Sequence, residues 1–139
     1  MNGNVRQYFL SFTILLAGSA FAAPEIKAGS VASDPYQTLQ HDGIDRHYLI
    51  RTPAESALRV GSVPLVLVLH GGGGNAENAE RMTGFTAKAQ REGFIVVYPS
   101  GTGFPKRWNT SGQASEDAAD DVVFLSDLID LVSRQFNID

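Results

Sequence analysis

The constraint that narrows this sequence most is a glycine run placed directly after an apolar one. Pro64-Leu65-Val66-Leu67-Val68-Leu69 contains no polar residue, and it passes straight into His70-Gly71-Gly72-Gly73-Gly74-Asn75. An apolar run without period-two alternation is the pattern of a strand covered on both faces, and this one is too short for a buried helix. A second run of the same kind, Phe94-Ile95-Val96-Val97-Tyr98, follows Gly93 as a helix stop and precedes the turn residues Pro99-Ser100-Gly101. Between the runs, Ala76, Ala79, Met82, Phe85 and Ala89 recur at helical spacing. Gly84 interrupts that helix and leaves Thr83 to cap its second part. Strand, helix and strand in this order predict an α/β fold, with a parallel pair joined by a right-handed crossover.

The flanks extend the pattern. Two short runs around Asp42-Gly43, a dipeptide that supplies the positive φ angles of a tight turn, predict an edge hairpin whose second strand is Arg46 to Arg51 and is closed by Pro53. After Tyr98 comes a polar loop of about twenty residues, a length that usually carries a function. Asp121 is expected to cap a helix with Leu125, Leu128, Ile129, Val132 and Phe136 facing inward and Asp127, Asp130 and Arg134 facing water. A further strand is expected just where Asn137-Ile138-Asp139 ends the sequence. Two core parallel strands do not satisfy their own edges, so the expectation is an incomplete domain.

Adjacent glycines cost backbone entropy, so the run between strand and helix needs a reason. A phosphate loop of the Walker type requires Lys-Ser or Lys-Thr after the last glycine, and neither follows Gly74. The dinucleotide fingerprint is matched literally by Gly71, Gly73 and Ala76, as a glycine run does by chance, but Tyr98-Pro99-Ser100 stands where an acid should hold the ribose. A tight strand-to-helix turn needs one or two glycines. An oxyanion loop accounts for the rest: backbone N–H groups without a Cβ beside them approach a substrate carbonyl and stabilise its developing charge.

Leu67-Val68-Leu69-His70-Gly71-Gly72, Thr83-Gly84-Phe85, Gly93 to Pro99, Arg107-Trp108-Asn109 and Asp120-Asp121-Val122 occur in one order. Together they resemble the secreted polyhydroxybutyrate depolymerase and feruloyl esterase-like branch of the α/β-hydrolases, over Gln37 to Asp139. The resemblance implies the N-terminal part of an α/β-hydrolase fold and a serine esterase that acts on polyester or feruloylated polysaccharide. It implies Gly71 and Gly72 as oxyanion donors, and a triad in the order Ser, acid, His. The sequence departs from that pattern in one respect. It holds no Gly-x-Ser-x-Gly, since Ser100, Ser111 and Ser126 have Tyr98, Asn109 and Phe124 two residues before them. All three triad members are therefore expected beyond Asp139. A noncatalytic exported binding module that uses the long loop is the alternative.

The remaining polar residues suggest little other chemistry. A net charge of −4 without any basic cluster argues against nucleic acid. Without cysteines, and with three histidines of which none is paired at ligand spacing, neither a metal nor a cofactor is expected. His70 is expected to orient the glycine loop rather than to act as a base, and His41 and His47 to be solvated strand residues. Trp108 either lines an acyl pocket or anchors the long loop. Glu116, Asp117, Asp120, Asp121, Asp127 and Asp130 read as a solvated loop and helix start, because they lack the alternate oxygens and central glycine of a calcium loop.

The compartment is read from the N-terminus. Arg6 without an acid, an apolar stretch from Tyr8 to Ala17 and Ala20-Phe21-Ala22 predict a signal peptide over residues 1–22, followed by an unstructured arm over 23–36 and the hydrolase-like domain over 37–139. The apolar stretch is shorter than the ~20 residues needed to span a bilayer, so no membrane partner is expected after cleavage and the product is secreted or periplasmic. N-terminal sequencing of the exported protein should begin at Ala23, and recovery of intact Met1 in the cytosol would sink this assignment.

Overall fold

The computed structural model describes residues 36–109 and 119–139. The expected signal peptide, nearly all of the arm, and Ser111, Glu116 and Asp117 lie outside the described residues. Strands β1 (Gln37–His41) and β2 (Ile44–Arg51) are followed by a short helix α1 (Glu55–Leu58) and by strand β3 (Leu65–Leu67). Helices α2 (Ala76–Thr83) and α3 (Phe85–Glu92) lead to β4 (Ile95–Pro99), and α4 (Asp121–Gln135) comes last. The sheet order is β1-β2-β4-β3, antiparallel except for the parallel β3–β4 pair. Among the described residues no helix is long and apolar enough to cross a membrane.

The hairpin turns at the expected dipeptide, with Asp42 at φ 49° and Gly43 at φ 73°. Its second strand starts at Ile44, two residues earlier than the sequence suggests. The unbroken apolar run of β4 is explained by its two neighbours. Ile95 and Val97 join Tyr48 and Ile50 under Phe124, Leu128, Leu131 and Val132 of α4. Val96 and Tyr98 join Leu49 on the other face, against Ala76, Ala79, Ala89 and Phe94. Helices on both sides leave β4 no face for water, and alternation has no use there.

Gly84 is in the left-handed conformation, with φ 63°, and serves both as the end of α2 and the start of α3. Thr83 is not the cap, because its hydroxyl donates instead to the Ala79 carbonyl at 2.7 Å. Arg51 ties β2 to this helix pair through Glu80, at 2.7 Å and 3.0 Å from its two carboxylate oxygens. Burial alone would raise the Glu80 carboxyl, but hydrogen bonds from Arg51 and Thr86 and the Arg51 charge outweigh it and hold the group below its ordinary value.

Helix α4 departs from expectation in two respects. Its cap is Asp120, which accepts the Val123 N–H at 3.0 Å, whereas Asp121 is buried in the first turn and pairs with Arg46 at 2.5 Å. The buried stripe is Phe124, Leu128, Leu131 and Val132, with Leu125 and Phe136 half-buried against the same core as expected and Ile129 left 40% exposed. On the sheet face beneath α4 the Arg46 guanidinium sits 3.8 Å from the centre of the Phe124 ring, a contact that favours this face. Hydropathy alone does not register such a contact. After α4, Ile138 forms a parallel bridge with Val63 on the free side of β3.

Arg46 and Asp121 are 1% and 5% exposed, so neither charge has water as a substitute partner. Asp121→Ala strands a buried guanidinium and should destabilise the fold by about 3–5 kcal/mol in urea titration, the usual result of breaking a buried pair. Asp130→Ala, at an exposed site on the same helix, should stay within about 0.5 kcal/mol.

Candidate active site

Pairing between β3 and β4 continues to Val68, whose N–H donates to the Val97 carbonyl at 2.9 Å, and the chain then turns at His70. The glycines that follow divide into two pairs. Gly73 has φ 78° and donates its N–H to the Lys106 carbonyl at 2.8 Å, while Gly74 donates to the Gly71 carbonyl at 3.0 Å. A Cβ on Gly74 would lie 3.1 Å from that carbonyl oxygen and 3.2 Å from His70 Cβ. Both residues therefore have reasons within the chain to lack a side chain. Gly71 and Gly72 have none. Neither is left-handed, and a Cβ on either would meet nothing within 4 Å. Both are exposed, and among the described residues neither N–H has an acceptor.

The loop opens directly into α2, which is capped twice. Asn75 accepts the Asn78 N–H at 2.8 Å, and Ser100 Oγ accepts the Ala76 N–H at 3.2 Å. Ser100 is 2% exposed, so this hydroxyl is a structural acceptor at the end of β4. Ser126 lies on the exposed side of α4.

His70 is 5% exposed, and both of its ring nitrogens are engaged. Nε2 accepts the Gly101 N–H at 2.9 Å, which puts the ring proton on Nδ1, where it is donated to the Gly71 carbonyl at 2.7 Å. An imidazole used in this way orients the loop and has no lone pair left to take a proton. Trp108 donates its indole N–H to the His70 carbonyl at 2.9 Å, and its ring lies 4.9 Å from the imidazole. These contacts and its packing against the core make Trp108 an anchor of the long loop.

The described start of that loop is a small hairpin. Thr102 and Arg107 exchange backbone hydrogen bonds of 3.1 Å and 2.9 Å, and Gly101 precedes them. A Cβ on Gly101 would fall 2.3 Å from the Arg107 carbonyl oxygen. Gly101 therefore does two jobs, allowing the hairpin to close and presenting its N–H to His70. In the sequence it is only the last letter of a turn signal, and nothing nearby marks the close approach.

The other polar residues fall outside this site. His47 is exposed, as expected, but His41 is 5% exposed and its Nδ1 lies 2.9 Å from Asp127, because α4 packs over the strand face that carries it. Of the acidic stretch, the described Asp120, Asp121 and Asp127 each hold a partner, but only Asp121 is buried. Among the described residues no group of three His, Cys, Asp or Glu side chains is placed to hold a metal ion.

No family model matches the chain. Over 91 residues it is 34% identical to NocK of Nocardia uniformis subsp. tsuyamanensis, a protein named as an esterase, which covers 63% of this chain and 26% of that protein. Over 76 residues it is 33% identical to the bifunctional acetylxylan esterase/xylanase XynS20E of Neocallimastix patriciarum, covering 55% of this chain and 10% of that protein. The chain thus spans about a quarter of one of these relatives and a tenth of the other. Among solved structures, the S-formylglutathione hydrolase FrmB of Staphylococcus aureus superposes with a TM-score of 0.57 at 14% identity, over 75% of this chain and 41% of that one. A thermostable esterase superposes with a TM-score of 0.53 at 19% identity, over 75% and 31%. The described residues are part of an α/β-hydrolase fold. The relatives support an α/β-hydrolase-type esterase family without singling out the polyhydroxybutyrate depolymerase or feruloyl esterase branch.

Gly101→Ala should force the hairpin off the glycine loop, with a loss of about 1–3 kcal/mol as for other overpacked sites. The fluorescence of Trp108, the sole tryptophan, should shift with it. An unchanged melting temperature and spectrum would show that the loop is not clamped as described.

Proposed function

We propose that this chain supplies the oxyanion-binding part of a secreted serine esterase, with Gly71 and Gly72 donating their N–H groups to the carbonyl oxygen of a carboxylic ester. One observation carries the reading. Of the four consecutive glycines, these two have no conformational or steric need to be glycine, and they leave open space beside free donors. Among the described residues nothing of the chain fills that point. Esterase-named relatives and hydrolase fold neighbours support ester chemistry as the use made of it.

In this reading a serine alkoxide adds to the ester carbonyl and the oxygen gains a full charge. The reading requires the two N–H groups to point at the position where that charge appears, so that no solvent must reorganise to meet it. His70 holds the Gly71 carbonyl and so fixes the peptide plane whose N–H belongs to Gly72. The base is a different group, because both His70 nitrogens are occupied. The nucleophile comes from a Gly-x-Ser-x-Gly elbow outside these 139 residues, since the sequence contains none. The substrate classes proposed are polyhydroxyalkanoate and feruloylated polysaccharide, and export of the protein suits either polymer.

The test uses the protein expressed from the reading frame continued past codon 139. A fluorophosphonate should label it at a serine in such an elbow and should leave Ser100 and Ser126 unlabelled. Gly72→Val should keep its melting temperature and lower kcat by about a hundredfold or more, because the isopropyl group bars the carbonyl oxygen from the N–H, which amounts to losing one oxyanion donor. Unchanged kcat in the folded variant would remove Gly72 from the proposed oxyanion site. A frame that contains no elbow would favour the noncatalytic binding module.

A further inference from the structure

The hairpin of residues 102–107, which is bonded to the glycine loop at Gly73, carries Phe104 at its tip, 103% exposed. A lone apolar side chain on a loose loop needs no explanation, because much of any protein surface is apolar. Phe104 is held differently. Its hairpin is closed by the Thr102–Arg107 pair and joined to the glycine loop by the Gly73 N–H to Lys106 carbonyl bond of 2.8 Å. Pro105, next to it in sequence, has its Cβ 3.9 Å from where a Gly73 Cβ would stand. A phenyl ring kept in water forgoes the stabilisation that burial would bring, and here it does so on a segment ordered by bonds to the proposed oxyanion loop.

We infer that Phe104 is a specificity-determining residue that packs against the apolar group of the ester bound at Gly71 and Gly72. The inference rests on the esterase reading and deepens it. The carbonyl oxygen is taken by backbone donors, which do not discriminate between one ester and another. Discrimination then falls to side chains bordering the loop; Leu69 before it is 48% exposed, and Phe104 on the attached hairpin is the most exposed large apolar side chain among the described residues. Its ring can cover an alkyl or an aryl group, on either the acyl or the alcohol side of the ester, and the two sides are separable by experiment.

In the protein expressed from the continued reading frame, kcat/KM is measured for p-nitrophenyl acetate and hexanoate, and separately for acetate esters of ethanol and hexanol. Phe104→Ala should lower the hexanoate-to-acetate ratio or the hexyl-to-ethyl ratio by about tenfold, the scale of losing a few methylenes of apolar contact. The series that changes identifies the side of the ester that is covered. Phe104→Leu should restore most of the ratio, and the melting temperature should not move. Equal losses for short and long esters, or no change in either ratio, overturn the inference while leaving the esterase reading intact if Gly72→Val still abolishes turnover. A fall of several degrees in the melting temperature of Phe104→Ala also overturns it, because the ring is then covered by the protein itself. Absence of hydrolysis for every ester removes the esterase reading and this inference together.

Discussion

A guanidinium with almost no access to water fixes much of this architecture. Arg46 leaves β2 under α4 and is held by the Asp121 carboxylate, by the Ser100 carbonyl at 3.4 Å and by the face of Phe124. Removing a charge from water is expensive, and the cost is recovered only where the partners are held in place. That requirement ties together three segments distant in sequence: the inner hairpin strand, the end of β4 and the first turn of the last helix. Asp121 also accepts the Asn109 N–H, so the far end of the described loop is bound to the same carboxylate. The loop between Ser100 and Asn109 is therefore held at both ends by one ion pair.

What the ion pair fixes from behind, His70 fixes from the front. Its two nitrogens join the Gly71 carbonyl at the end of the β3 side to the Gly101 N–H at the end of the β4 side. The arrangement works only for the neutral imidazole with its proton on Nδ1, since a proton on Nε2 would point at another donor. Trp108 closes the set through the His70 carbonyl. The glycine loop is thus stiff without using the N–H groups of Gly71 and Gly72, the condition that a preorganised oxyanion site imposes.

Much of this was legible in the sequence wherever local chemistry sets the outcome. Asp42-Gly43 dictates its hairpin, Gly93 stops its helix, and the unalternating runs announce strands packed on both faces, because each depends on residues near in sequence. Thr83 is a local exception, bonded to the Ala79 carbonyl one turn back; the other errors concern partners that sequence proximity does not reveal. Asp121 reads as a cap by its position, and Asp120 holds that place because Arg46, 75 residues away, claims Asp121 for the core. His41 reads as a solvated strand residue until α4 lies across it. Gly101 carries no mark of its own, since the clash that requires it is with the Arg107 carbonyl across a hairpin. Hydropathy records how much a residue prefers burial, not which charge will be waiting there.

The glycine run shows how composition and geometry divide one piece of evidence. Read as letters, four glycines suggest a single need for freedom, and every member seems to serve it equally. In the fold that need is met by Gly73 through its positive φ and by Gly74 through its close approach to His70 and Gly71. Substituting either would disturb the chain whatever its function. Gly71 and Gly72 owe nothing to the chain's own packing, so their small size is a property of the space in front of them. Behind that space the loop is tied to the hairpin of residues 102–107 through Gly73. If the proposed site holds, its donors are fixed by His70, Gly73 and Gly74, residues engaged within the chain itself.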